Sequence, residues 1–270
     1  MNTKTRFFTN AALASAITLG LASQAVAQQD WDAINEETLR HFRALLQFDT
    51  SDPPGRELLA AEYIRDVLEA EGFEVEMLAN NDERPNVVTR LKGNGSKEPL
   101  LIMAHTDTVN VDPAKWTFPP FSATVDGGYV YGRGAVDDKD NLAAGLMVML
   151  ELKRQGIKLD RDVIFLAESG EEGATEFGIE FMINEHFDKI ESEFCLAEGG
   201  SVARVNREVQ YAGIQSVEKI PYQINLTATG VAGHGSVPLQ TNPVVRLAKA
   251  MAAVADWPSP IRLNETTAAY

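Results

Sequence analysis

The 270-residue chain has a single cysteine, Cys195, so no internal disulfide can form. Its place in the apolar run Phe194-Cys195-Leu196-Ala197 predicts an inert core thiol. Positive charge is also scarce. Against 24 Lys and Arg stand 39 Asp and Glu, giving a formal net charge of −15 and arguing against a nucleic-acid partner. Beyond the N-terminus no run is long and apolar enough to span a bilayer, and there is neither an internal repeat nor a low-complexity tract. With 44% hydrophobic and 23% charged residues, the composition is that of an ordinary globular protein.

The N-terminus reads as a processing signal. Lys4 and Arg6 precede the apolar run Asn10–Ala27, which ends in Ala25-Val26-Ala27. A basic start, a short apolar stretch and an A-x-A end describe a secretory signal peptide over residues 1–27. A membrane anchor fits less well, because the run is short and carries Ser15, Thr18, Ser23 and Gln24. Cleavage removes two positive charges and no acid, taking the formal charge from −15 to −17. The expected location is exported, periplasmic or secreted, with no membrane association after cleavage.

The rest alternates between helical and strand patterns. Residues 36–48, 56–73, 141–156 and 175–187 have apolar spacing suited to helices. Residues 73–78 and 86–91 alternate as half-buried strands, while 99–104, 162–167 and 193–198 read as buried strands. A hairpin is predicted around Gly127-Gly128. Strands alternating with helices indicate an α/β layer fold with helices on both faces of the sheet. From about residue 213 the texture changes: a strand with one wet face over 222–230 and a helix over 242–257, opened by Pro243, suggest the start of a smaller domain.

The polar residues gather where strands end. His105 and Asp107 follow the strand at 99–104, Asp137 and Asp138 follow the hairpin, and "ESGEEGATE" (Glu168–Glu176) follows the strand at 162–167. Glu198 follows the strand at 193–198. Each has an ordinary reading: a surface hydrogen bond for His-x-Asp, helix capping for Asp137-Asp138, a solvated turn for the glutamates. Together, at the carboxyl ends where open α/β sheets collect ligands, they point to a metal site. Imidazole and carboxylate suit a divalent ion such as zinc. Two ions about 3.5–4 Å apart, bridged by one carboxylate, can activate a water, and a neighbouring carboxylate can take its proton.

The stretches "LLIMAHTDTV", "YGRGAVDDKDN", "GEEG", "AEGG" and "GHGSVP" resemble, in order and spacing, the M20 family of metallopeptidases. "WTFPPFSATVDGGYVYGRG" is most similar to its carboxypeptidase S and N-acyl-amino-acid hydrolase branch. The resemblance runs from about Asp30 onward. It implies a zinc-exopeptidase-like catalytic domain over 28–212, with helices on both faces of a mixed sheet, and the first part of a smaller α/β lid or dimerisation domain over 213–270. It also implies hydrolysis of amide bonds in small peptides or N-acyl amino acids. Two Zn2+ are implied, with Co2+ or Mn2+ as substitutes. His105, Asp137 and Glu198 would hold one ion, with Asp137 bridging to a second held by Glu172. Glu171 would be the general base, Asp107 would orient His105, and His234 would stabilise the developing oxyanion, in the family often across a homodimer.

Two departures stand out. Asp140 replaces the family's usual small residue and reads as an added acid at a helix start. The family's final histidine ligand has no counterpart among His41, His105, His186 and His234. His41 and His186 read as surface or helix-end residues. The sequence is therefore expected to lack the family's C-terminal part. The competing reading is an exported module, mono-zinc or peptide-binding, without catalysis.

Overall fold

The computed structural model describes residues 29–215, 217 and 222–269; the leader expected over 1–27 lies outside them. In chain order the N-terminal unit contains α1 (Trp31–Leu46), β1 (Ser51–Asp52), α2 (Leu58–Ala70), β2 (Val75–Leu78), β3 (Asn86–Leu91), β4 (Leu100–His105), β5 (Thr108–Val109), β6 (Thr124–Asp126) and β7 (Tyr129–Tyr131). It continues with α3 (Lys139–Arg154), β8 (Val163–Glu168), α4 (Ile179–Glu185), α5 (Phe187–Ile190) and β9 (Phe194–Leu196). The C-terminal unit holds β10 (Ser201–Val205), β11 (Glu208–Gly213), α6 (Pro243–Ala255) and α7 (Glu265–Ala269). The units divide between Leu196 and Ala197, ahead of the 212/213 boundary expected from sequence, and the β10–β11 hairpin accounts for the difference.

The central sheet runs β2-β3-β8-β4-β9. β3 is antiparallel to β2 and β8, whereas β4 is parallel to both β8 and β9, so the sheet is mixed as expected. Its strands alternate two apolar faces, because successive side chains point to opposite sides. Val163, Phe165 and Ala167 of β8 join Leu45 of α1, Ile64 and Leu68 of α2, and Leu142, Leu146 and Met149 of α3 in one core. Ile164 and Leu166 join Leu101, Phe181, Met182 and Ile190 in the other, under α4 and α5. The result is a three-layer α/β/α unit with helices on both faces.

Local chemistry sets the elements. The Asp30 carboxylate accepts the Ala33 N–H at 3.1 Å, and this N-cap starts α1 five residues before the apolar spacing indicates. α3 lies close on the sheet because Gly145 leaves room: a Cβ there would meet Phe165 Cε2 at 2.8 Å. The single helix expected over 175–187 is split into α4 and α5 around His186.

Three expectations are corrected. β9 is exposed along its length, since among the described residues it is an edge strand bonded only to β4, and Cys195 is an exposed thiol rather than a core one. The strand expected over 222–230 has no ladder partner among the described residues and forms no regular element. An alternating pattern describes a face; pairing is what makes it a strand. Among the described residues no helix is long and apolar enough to cross a membrane.

Candidate metal centre

β4 and β8 run parallel in register, so His105 at the end of one lies beside Glu168 at the end of the other. The two following loops therefore leave from the same sheet edge. Thr106 ties them at once, donating to the Glu168 carbonyl from its backbone N–H and its hydroxyl, both at 2.8 Å. The third contribution comes from the turn before α3, which carries Asp137 and Asp138 joined by a cis peptide.

His105 is 1% exposed and acids surround its ring. Nε2 lies 3.0 Å from Asp137 Oδ1 and 3.9 Å from Glu171 Oε2. Nδ1 lies 3.1 Å from the Asp107 carbonyl and 3.3 Å from its carboxylate. Burial by itself would push the imidazole down, but the carboxylates of Asp107, Asp137 and Asp138 outweigh it and hold it up at about 10. A ring so placed favours a cation at Nε2. Nitrogen and oxygen donors converging on that point fit a divalent metal ion.

Asp107 does more than orient the ring. Completely buried, its carboxylate accepts the Glu171 N–H at 3.1 Å on Oδ1 and the Glu172 N–H at 3.0 Å on Oδ2. It thus locks the imidazole and the glutamate turn together. Burial raises its pKa, yet His105 and the two N–H donors reverse this and leave it below the ordinary carboxylate range. The turn can close because Gly170 sits at φ +72°, where a Cβ would meet the Ala174 carbonyl oxygen at 2.4 Å. Glu171 is left exposed and Glu172 half-buried. Burial, then the Asp137 charge, pushes Glu172 up.

The structure separates capping from site chemistry at Asp138. It occupies the N-cap position of α3 without a side-chain cap bond. Its buried carboxylate instead accepts the His105 N–H at 3.2 Å and the Asn141 side-chain amide at 2.6 Å. Asp140 does stand in the first helical turn. Glu198 and His234 belong to the C-terminal unit and are exposed. His234 Nδ1 lies 2.8 Å from the Ser236 hydroxyl oxygen and 3.3 Å from the Ser236 backbone nitrogen.

Sequence reasoning missed a buried charged layer beneath the centre. Lys139 is fully buried and donates to the Phe48 carbonyl at 2.8 Å; burial brings its ammonium down to about 8, against the pull of Asp49, Asp107 and Glu57. Arg84 lies 2.6 Å from Glu57 and 2.9 Å from Asp52. Glu168 is pushed up to about 8 by burial, with the neighbouring Glu171 adding to the rise, and its Oε2 has no hydrogen-bond partner among the described residues. Only Glu168 left a trace in sequence, as an acid closing an apolar run. His41 is also corrected: it is buried against Tyr63, with Nδ1 2.7 Å from the hydroxyl, because α1 turns that face toward α2. His186 packs edge-on against Phe181.

Residues 101–265 match the family model of peptidase family M20/M25/M40. A probable carboxypeptidase S-like 2 of Dictyostelium discoideum is 34% identical over 181 residues, 63% of this chain and 34% of that protein. A probable succinyl-diaminopimelate desuccinylase of Staphylococcus aureus is 32% identical over 206 residues, 75% and 47% of the two chains. The crystal structure of an M20 family metallo-carboxypeptidase, Sso-CP2 from Sulfolobus solfataricus, superposes with a TM-score of 0.54 at 28% identity, covering 62% of this chain and 38% of that one. The chain spans between about a third and a half of the length of these relatives.

Proposed function

The chain belongs to peptidase family M20, and on that footing we propose that it serves a metal-dependent hydrolase of amide bonds in small peptides or N-acyl amino acids. One observation carries the reading. A buried imidazole is held by Asp107 on one nitrogen and faces Asp137 and Glu171 on the other, while the same Asp107 fixes the turn bearing Glu171 and Glu172. Such convergence has no use in a solvated acidic loop.

In this proposal His105, Asp137 and Glu198 would hold one zinc ion, and Asp137 with Glu172 would hold a second, as the family resemblance assigns them. Co2+ and Mn2+ are acceptable substitutes, since oxygen-rich donor sets accept several divalent ions. When bound, the ions supply Lewis acidity for the substrate carbonyl and lower the pKa of the attacking water. Glu171, exposed beside His105 Nε2, takes the proton as the water oxygen adds to the carbonyl carbon. It then delivers that proton to the leaving nitrogen as the C–N bond breaks. Asp107 keeps the imidazole in one tautomer throughout. His234 would offer a ring N–H donor to the oxyanion, as the family resemblance assigns it.

The signal-like N-terminus supports export to the periplasm or exterior, and the lid region supports a homodimer. The test is metal content per chain together with turnover on a panel of dipeptides and N-acetyl amino acids. Chelation is expected to abolish hydrolysis and added Zn2+, Co2+ or Mn2+ to restore it. Undiminished turnover in fully metal-free protein would refute the proposal.

A further inference from the structure

The turn that carries Glu171 and Glu172 begins at Ser169 and ends at Phe177, and one buried side chain binds both ends. Asn86, the first residue of β3, is fully buried. Its Oδ1 accepts the Ser169 N–H at 3.1 Å, while its Nδ2 donates to the Phe177 carbonyl at 2.8 Å and to the Leu78 carbonyl at 3.2 Å. Few side chains can do this. A carboxamide on a short stem presents one acceptor and two donors in a fixed plane; Asp would face two carbonyls with no donor, and Leu with nothing polar.

The neighbouring residue Arg84 reinforces the same two ends. Its carbonyl accepts the Ser169 hydroxyl at 2.9 Å, and its guanidinium lies 4.7 Å from the centre of the Phe177 ring. The crest between them is held separately, by Asp107. With ends and crest both fixed, the turn has no freedom to swing Glu171 away from His105.

We propose that Asn86 is a positioning residue for the general base, setting the Glu171–Glu172 turn through its two ends without touching substrate. The proposal rests on the hydrolase reading for its catalytic meaning, but its geometry can be tested without turnover. Asn86→Ala leaves a buried N–H and two part-buried carbonyls without their partner, enough to raise local opening by about tenfold or more. The Glu171 and Glu172 N–H groups, protected by Asp107 only while the turn is in place, are the reporters.

The experiment is hydrogen exchange resolved to those two amides in the full chain, with the amides of α3 as internal reference, alongside steady-state kinetics. The expected result is exchange at Glu171 and Glu172 about tenfold faster or more, α3 unchanged, and a fall in kcat with KM held. Unchanged exchange at both glutamates, or an equal rise across β8 and α3, would overturn the proposal. Should Asn86→Ala fail to fold, Ser169→Ala removes only the hydroxyl bond to Arg84. It should give a smaller change of the same localised kind, and no localised change overturns the proposal equally. If the parent protein hydrolyses nothing, the hydrolase reading falls while the exchange result still decides the role of Asn86 in holding the turn.

Discussion

Replacing Asp107 by Asn tests the centre most directly, because that carboxylate joins the imidazole to the glutamate turn. Oδ1 receives the Glu171 N–H and lies 3.3 Å from His105 Nδ1; Oδ2 receives the Glu172 N–H. An amide has one oxygen, so in either orientation its NH2 confronts a backbone donor. At least one part-buried N–H then loses its acceptor, costing about 1–3 kcal/mol. Loss of the orienting carboxylate should also weaken metal binding by about 10–100-fold. The stability deficit has a defined pH window. His105 is raised from 6.5 to about 10, so its ion-pair contribution is complete below 6.5 and fades as pH climbs to about 10. Asp107 is held below its ordinary value, so its contribution is present above the carboxylate range and lost only in acid. Urea unfolding of chelated protein should therefore show the widest gap between wild type and Asp107→Asn near pH 6, narrowing toward pH 10. Equal stability at pH 6, with zinc affinity unchanged in a competition titration, would refute the clamp.

Glu171→Gln should retain bound metal, measured per chain, and lose turnover by about 10²–10⁴-fold; full turnover reassigns the base. Arg84→Met leaves Glu57 and Asp52 facing each other in the interior and should cost about 3–5 kcal/mol in denaturant unfolding, part of it recovered by adding Glu57→Gln. Lys139 has its pKa lowered from 10.5 to about 8, so the unfolded chain holds the extra proton between those values and this group's contribution makes stability rise with pH there. In metal-free protein the Lys139→Met variant should lose that rise, read as unfolding midpoint against pH. Zinc at about a thousandfold its Kd should stabilise the fold by about 4 kcal/mol, and chelation should reverse it in a thermal scan.

The sheet and both its covering layers were legible because burial writes periodicity into sequence: "DVIFLA" and "NLAAGLMVMLELKRQG" could hardly be anything but a core strand and a core helix. His105, Asp107, Asp137, Glu171 and Glu172 were legible because each stands just past such a pattern. The fixed parts around them were not. Asn86 opens β3 within the strand expected over 86–91 and Arg84 stands two residues ahead of it, with no pattern to mark either. Nothing local reveals that the chain folds this stretch beneath another loop some eighty residues away, where Ser169 finds it. Lys139 is hidden differently: "DDKDN" looks like a charged helix start, and only the tertiary fold shows its ammonium buried. Edge position was equally unreadable in "FCLA", since exposure of a strand depends on its neighbours in the sheet.

The crowding of glutamates at the end of a core strand has a physical explanation in this arrangement. Packed carboxylates repel and resist burial, and a turn built only from them would open toward water. Here the charges are separated by function. Glu168 is buried and has a raised pKa, while Asp107 is kept ionised by the two backbone N–H groups of the very turn it restrains and by His105. Glu171 remains exposed beside the imidazole. Neutralising the centre from below, Lys139 and Arg84 offset Asp107, Glu57 and Asp52 without reaching the rim. Of the rim's own acids, Asp137 and Glu171 stand 3.0 and 3.9 Å from His105 Nε2, which is where a divalent cation would be held most tightly.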